Sequence, residues 1–123
     1  MKAIFVKGNP EYRRYIPEDD VEAGDIIIVG DVPVVAHSPI KAGEEGNVAI
    51  GGGCYLLELL AAVAVGKAVY TNNDDNMSGN PGDGVHFGFM NLYIAATDAN
   101  QIREVEHRPS GLQIPLALIE ALD

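Results

Sequence analysis

The sequence predicts an all-β domain, and three observations carry that prediction. The apolar runs are short, rich in Ile and Val, and bounded by Gly, Pro or Asp. The 14 glycines and 7 prolines are spread without a strict period, which calls for many tight corners rather than disorder. The one run with helix-forming composition, Tyr55 to Val65, lacks an N-cap and follows three consecutive glycines, so it reads as a strand and a short turn.

Taken in order, strands are expected at Ala3 to Val6, Asp25 to Val29 and Val32 to Ala36. The last two should form a hairpin from Ile26 to His37 with its corner at Gly30-Asp31. Further strands are expected at Asn47 to Ile50, Cys54 to Leu60, Ala68 to Thr71, Val85 to Met90, Leu92 to Ala96 and Ile102 to His107. A weak echo links Val21-Glu22-Ala23-Gly24-Asp25, Ile40-Lys41-Ala42-Gly43-Glu44 and Val63-Ala64-Val65-Gly66-Lys67. A glycine tolerates positive φ, so each copy reads as a turn that aims the chain back into a sheet. Asn72 to Gly84 contains almost nothing apolar and is expected to be a surface loop. From Pro109 the chain turns apolar again. Pro115 suits the first turn of a short helix that would pack Leu116, Ile119 and Leu122 on one stripe. Residues 1–107 thus read as one β domain, with 1–20 either a contact arm or a first hairpin. Residues 108–123 read as an extension packing on the same domain or on a neighbouring subunit.

Charge and length narrow the function. At 123 residues the chain has the size of one domain, and 47% hydrophobic content supports an ordinary core. A formal charge of −10 repels phosphate backbones and argues against a nucleic-acid partner. No apolar run approaches the roughly 20 residues of a membrane span. The first six residues are too short for a signal-peptide core, and one cysteine cannot form an internal disulfide, so synthesis in a reducing interior is expected.

Candidate chemistry is sparse. Gly66-Lys67 lacks the upstream glycine and following hydroxyl of a phosphate loop, because those positions hold Ala61 and Ala68. The dinucleotide fingerprint fails at Phe87 after Gly82-x-Gly84 and at Leu56 after the glycine triplet. Asp74, Asn76, Ser78 and Gly79 imitate the start of a calcium loop, yet Val85 stands where its bidentate Glu belongs. His37, His86 and His107 lack zinc spacing and are expected at strand ends or on sheet faces. Cys54, inside an apolar run, reads as a small buried hydrophobe. The expectation is therefore no catalytic residue, no metal and no cofactor.

The order of the motifs resembles the small phage capsid cement, or head decoration, proteins. The resemblance is carried by Val21 to Val29, Gly30, Val34 to Ala36, Ile40 to Val48, Gly53 to Leu57, Val65 to Tyr70 and Val85 to Phe89, and spans about residues 1–107. Some members carry a RecA-like recombinase label, which would need the phosphate loop found missing above. The resemblance implies a small β-barrel or β-tulip fold and a homotrimer. It also implies attachment to the major capsid protein on the outside of an icosahedral head, after synthesis in the bacterial cytoplasm. Such a role needs no reacting group. The candidate contact residues are Ile4, Phe5, Tyr12, Tyr15 and Ile16, in a short apolar strand flanked by lysines and an aromatic cluster beside Arg13 and Arg14. On this reading residues 1–7 could be deleted without disturbing the fold. The alternative is a β-barrel adaptor using the Asn72 to Gly84 loop as its contact.

Overall fold

A computed structural model describes residues 2–71 and 77–109. The expected C-terminal helix and two of the calcium-like positions, Asp74 and Asn76, lie outside the described residues. Within them there is no α-helix, and the strands are β1 (Ile4–Tyr15), β2 (Ile26–Val29), β3 (Val32–Ala36), β4 (Gly46–Leu59), β5 (Ala68–Thr71), β6 (Met77–Ser78), β7 (Val85–Met90) and β8 (Gln101–His107). One short 3-10 turn, Pro81–Asp83, precedes β7.

Strand β4 organises the sheet because four partners share its two edges. Along one edge β3 pairs with its first half (Val35↔Ala49) and β8 with its second (Cys54↔Glu106 to Leu59↔Gln101). Along the other, β1 runs antiparallel from Tyr15↔Gly46 to Ile4↔Leu56, and β6 takes the last residue in parallel, Leu59↔Met77. The circuit β4-β6-β5-β7-β8 returns to β4, so five strands close a barrel. Closure on the β6 side rests on that one pair and on Leu60 N donating to Met77 O at 2.9 Å.

Alternation along β4 decides what is inside. Ala49, Tyr55, Leu57 and Leu59 point into the barrel core with Val69, Met77, Phe87, Met90 and Val105. Val48 and Ile50 point the other way, into a second, smaller cluster with Val21, Val34, Ala36 and Ile40. β3 lies between the two clusters, which is why four successive residues of it are buried.

The hairpin forms as expected, Val29↔Val32 flanking Gly30-Asp31. The echo is structural too. Gly24, Gly43 and Gly66 all have positive φ, at 89°, 78° and 71°. Each follows the same turn, closed by Asp25 N to Glu22 O (3.1 Å), Glu44 N to Lys41 O (3.0 Å) and Lys67 N to Ala64 O (3.3 Å). Val21 and Ile40, which open two of the copies, bridge each other.

Four expectations need correction. Asn72 to Gly84 is not surface loop throughout: Met77–Ser78 form β6 and both are buried, Met77 in the barrel core. The glycine triplet does not separate two strands: Asn47 to Ile50 and Cys54 to Leu60 are one continuous β4. A Cβ on Gly52 would sit 2.7 Å from Asn9 O, and one on Gly8 2.6 Å from Gly52 O, so the glycines let β1 cross β4 at close range. β1 is also far longer than Ala3 to Val6, because pairing resumes beyond the bulges around Gly8 and Glu11. Leu92 to Ala96 is not a strand. Asn91 Oδ1 accepts from Tyr93 N (2.9 Å) and Ile94 N (2.6 Å), which curls the chain into a turn, and only Ala96 bridges, to Val63.

Packing predicts which glycine matters most. A Cβ on Gly88 would lie 1.7 Å from Glu106 O, inside the β7–β8 pairing, whereas one on Gly43 meets nothing within 4 Å. Gly88→Ala should therefore cost more than about 4 kcal/mol or abolish folding, and Gly43→Ala only the roughly 1–2 kcal/mol of a left-handed conformation. Thermal melts of the two variants check the ranking.

Candidate contact surface

Strand β1 builds the most unusual surface of the molecule. It pairs through one edge only among the described residues, and ten of its twelve residues are exposed. At about 3.3 Å per residue it runs for about 40 Å. Ile4, Phe5, Val6 and Tyr12 are exposed along it, and Ile16 just beyond is 60% exposed. Sequence reasoning placed Ile4, Phe5, Tyr12, Tyr15 and Ile16 together, and all but Ile16 lie on this one strand. Tyr15 is half-buried and packs on the second cluster. β1 is not the first strand of a hairpin, since its partner is β4 rather than β2.

Three side-chain groups hold β1 down. Phe5 meets His37 and Tyr55 edge-on or tilted, with ring centroids 5.1 and 5.7 Å apart. Tyr12 hydroxyl lies 3.1 Å from His37 Nδ1. Lys7 Nζ pairs with Glu104 at 3.5 Å, and Arg14 Nε with Glu45 at 3.0 Å. Tyr93 donates to the same Glu104 carboxylate, and this bond, with Lys7, holds its pKa below the ordinary carboxylate range. Beside it the Asn91 turn exposes Leu92 (83%), Tyr93 and Ile94. The sequence reading treated that apolar triplet as strand and missed it as surface. An Asn two residues before Tyr was the available signal.

The histidines occupy strand ends or faces. His37 follows β3, and His86, the second residue of β7, packs between Tyr70 and Phe89, with its pKa lowered by burial. His107 closes β8 and is fully buried. Its ring stacks on Phe87 at 4.5 Å, and Nε2 donates to Pro33 O at 2.7 Å, which leaves Nδ1 without a partner among the described residues.

Little here suits bond-making chemistry. No group of three metal-ligating side chains occurs among the described residues. The Cys54 thiol is half-buried, not fully buried as the sequence suggested, and its pKa is pushed up by burial and by Glu104 and Glu106, the reverse of an activated nucleophile. An open cleft of about 670 Å³ lies between residues 15–21 and 25–30. Two of its carboxylates are spent on turns: Asp20 accepts from Ala42 N and Asp25 from Glu22 N, both at 2.8 Å. Ser78 Oγ, in the calcium-like stretch, accepts from Asn80 N at 3.0 Å. No helix among the described residues is long and apolar enough to cross a membrane.

The fold and surface define a closed β-barrel that carries an exposed, ion-paired strand with apolar side chains turned to solvent. The family model for phage cement proteins matches residues 11–106, and the chain belongs to that family. Membership implies association with a phage capsid. Neither a curated protein nor a solved structure matches the chain.

His107 makes a prediction about acid stability. Burial lowers its pKa from 6.5 to about 4. Below pH 6.5 the unfolded chain takes up a proton that the folded chain refuses until about pH 4, so stability falls across that window and levels off below it. The loss should reach about 3 kcal/mol. Urea unfolding at intervals from pH 7.5 to 4 should show it, and His107→Phe should reduce the slope, leaving the part due to His37 and His86, whose pKa values burial also lowers.

Proposed function

We propose that this chain is a capsid decoration protein that binds the outer surface of an assembled phage head and stabilises it by adhesion, without catalysis. The observation that carries the reading is β1, a twelve-residue strand held by one edge and turned to solvent, in a chain of the phage cement family. Ile4, Phe5, Tyr12, Tyr15 and Ile16 form the contact, and the major capsid protein is the partner. Adhesion stabilises by linkage. A protein that binds the assembled shell and not free coat subunits lowers the shell's free energy by RT ln(1 + [L]/Kd), about 2.7 kcal/mol per site at a hundredfold excess over Kd. A homotrimer on a threefold axis strengthens this, because the second and third subunits bind at high effective concentration.

Pro10 and the register shifts between Phe5 and Lys7, Gly8 and Glu11, and Glu11 and Tyr12 interrupt β1, so strand addition by the coat would use short stretches of its edge rather than its whole length. Beyond the break, Tyr12 and Ile16 contribute side chains rather than backbone.

Deleting residues 1–7 is a poorer test than the sequence suggested. Ala3 belongs to the barrel core and its N donates to Gly24 O at 2.9 Å. Substitution at exposed positions separates binding from folding. The double variant Ile4→Glu, Ile16→Glu should melt within about 1 kcal/mol of the parent yet pellet with undecorated heads at least tenfold less well. A variant that decorates heads like the parent would overturn the assignment of the contact. Light scattering should give a trimer of 13.1-kDa chains.

A further inference from the structure

The group that fastens β1 to the barrel most directly is titratable. The His37 ring faces Phe5 and Tyr12 on β1, at 5.1 and 5.3 Å between centroids, and Tyr55 on β4 at 5.6 Å. Its Nδ1 lies 3.1 Å from the Tyr12 hydroxyl and its Nε2 2.5 Å from the Tyr55 hydroxyl. Beyond Tyr55, at 5.8 Å, stands His107 of β8.

The direction of the hydrogen bonds follows from burial. Tyr55 is fully buried, and its hydroxyl has His37 as its partner. The phenol must therefore donate to an unprotonated Nε2, or its hydrogen is left unpaired in the core. Nδ1 then carries the ring proton and donates to Tyr12, whose own hydrogen reaches water. The neutral ring satisfies every member of the relay, Tyr55 to His37 to Tyr12. A second ring proton goes onto Nε2, where it meets the Tyr55 hydroxyl head-on and forces that hydrogen away from its acceptor.

We infer that His37 is a proton-operated latch on β1: the neutral ring closes the relay and holds the strand against the barrel, and the protonated ring turns to water and lets Phe5 and Tyr12 go. Loss of water around the ring lowers its pKa, which agrees with a latch closed at neutral pH. The other fastenings of β1 do not change over the same interval. Lys7–Glu104 and Arg14–Glu45 join a cation to a carboxylate and contain no imidazole, and the bond from Tyr93 and the neighbouring Lys7 lower the pKa of Glu104 further from the interval. His86 packs on Tyr70 and Phe89 instead of on β1. His107 also resists its proton, but its cost falls on the whole barrel, not on one strand. The functional consequence, loss of head binding in mild acid, rests on the proposal that β1 is the contact.

Hydrogen exchange of the intact chain, read strand by strand and corrected for intrinsic rates, tests the latch without any capsid. Between pH 7.5 and 5.5, protection of residues 4–15 should fall several-fold relative to residues 85–90, which report the barrel, with about tenfold the ceiling that one proton allows. His37→Phe should leave β1 equally exposed at both values, and the milder His37→Gln serves if the first variant does not fold. The His37 ring resonance should titrate with the same midpoint as the loss of protection. Protection of β1 that does not depend on pH, or a pH dependence that survives loss of the imidazole, would overturn the latch. Co-sedimentation with heads at both values adds the distinction: no binding even at pH 7.5 would sink the contact assignment and leave the latch to be judged by exchange alone.

Discussion

The structure depends on one constraint, that β4 must satisfy hydrogen-bonding partners on both edges for most of its length while turning alternate side chains into two different interiors. Fourteen residues, about 45 Å of extended chain, serve β1, β3, β6 and β8 in turn. Tyr55 sits where these demands coincide. It pairs with Phe5 on one side and Val105 on the other, fills the barrel beside Phe87, and offers its hydroxyl to His37. A buried tyrosine must find a partner for that hydroxyl, and the partner found is the residue that fastens β1. Core packing and the placement of the surface strand are thus one interaction seen from two sides.

The glycine triplet follows from the same constraint. Where β1 crosses β4, backbone meets backbone at distances that leave no room for a Cβ on Gly8 or Gly52. Side chains there would push the strands apart and remove one edge of β4 from use. The bulges on β1 are the matching irregularity on the other strand: they absorb the extra residues that β4 leaves unmatched. Neither strand is regular at the crossing, and β1 shifts register once more between Phe5 and Lys7.

This explains what could be read from the sequence. Strands whose partners are near in the chain and whose ends carry turn residues were legible: the hairpin at Gly30-Asp31, β5, β7 and β8 all lie close to their expected places. The three turns at Gly24, Gly43 and Gly66 were legible because the conformation is written into the glycine itself. What could not be read was anything decided by a distant partner. Asn9 and Pro10 suggest a loop, and only pairing with β4 keeps the chain extended through them. Leu92, Tyr93 and Ile94 look like a strand in a one-dimensional pattern, but Asn91 captures their amides first. The candidate contact residues were proposed from composition, Tyr and Ile beside Arg. His37, which links Tyr12 to Tyr55 across eighteen and more positions of sequence, had no local signature at all.

An exposed strand that pairs through one edge among the described residues invites aggregation, and the way β1 avoids it bears on its use. Residues 2–14 hold four of the eight basic residues and one of the eighteen acidic ones. Lys2, Lys7 and Arg14 are each paired with a carboxylate from elsewhere in the chain, and Arg13 with Glu11 beside it. The strand is therefore the least negative part of a strongly negative molecule. Two copies meeting at random repel through the rest of their surfaces, and Pro10 with its flanking bulges breaks the edge into segments too short for extended strand-to-strand pairing. A partner of complementary shape meets neither obstacle, provided that its own surface is not acidic. Selectivity of this kind comes from what the rest of the molecule forbids rather than from strong attraction at the strand. It suits adhesion repeated at many sites, where each contact can be modest because the assembled lattice supplies the multiplicity.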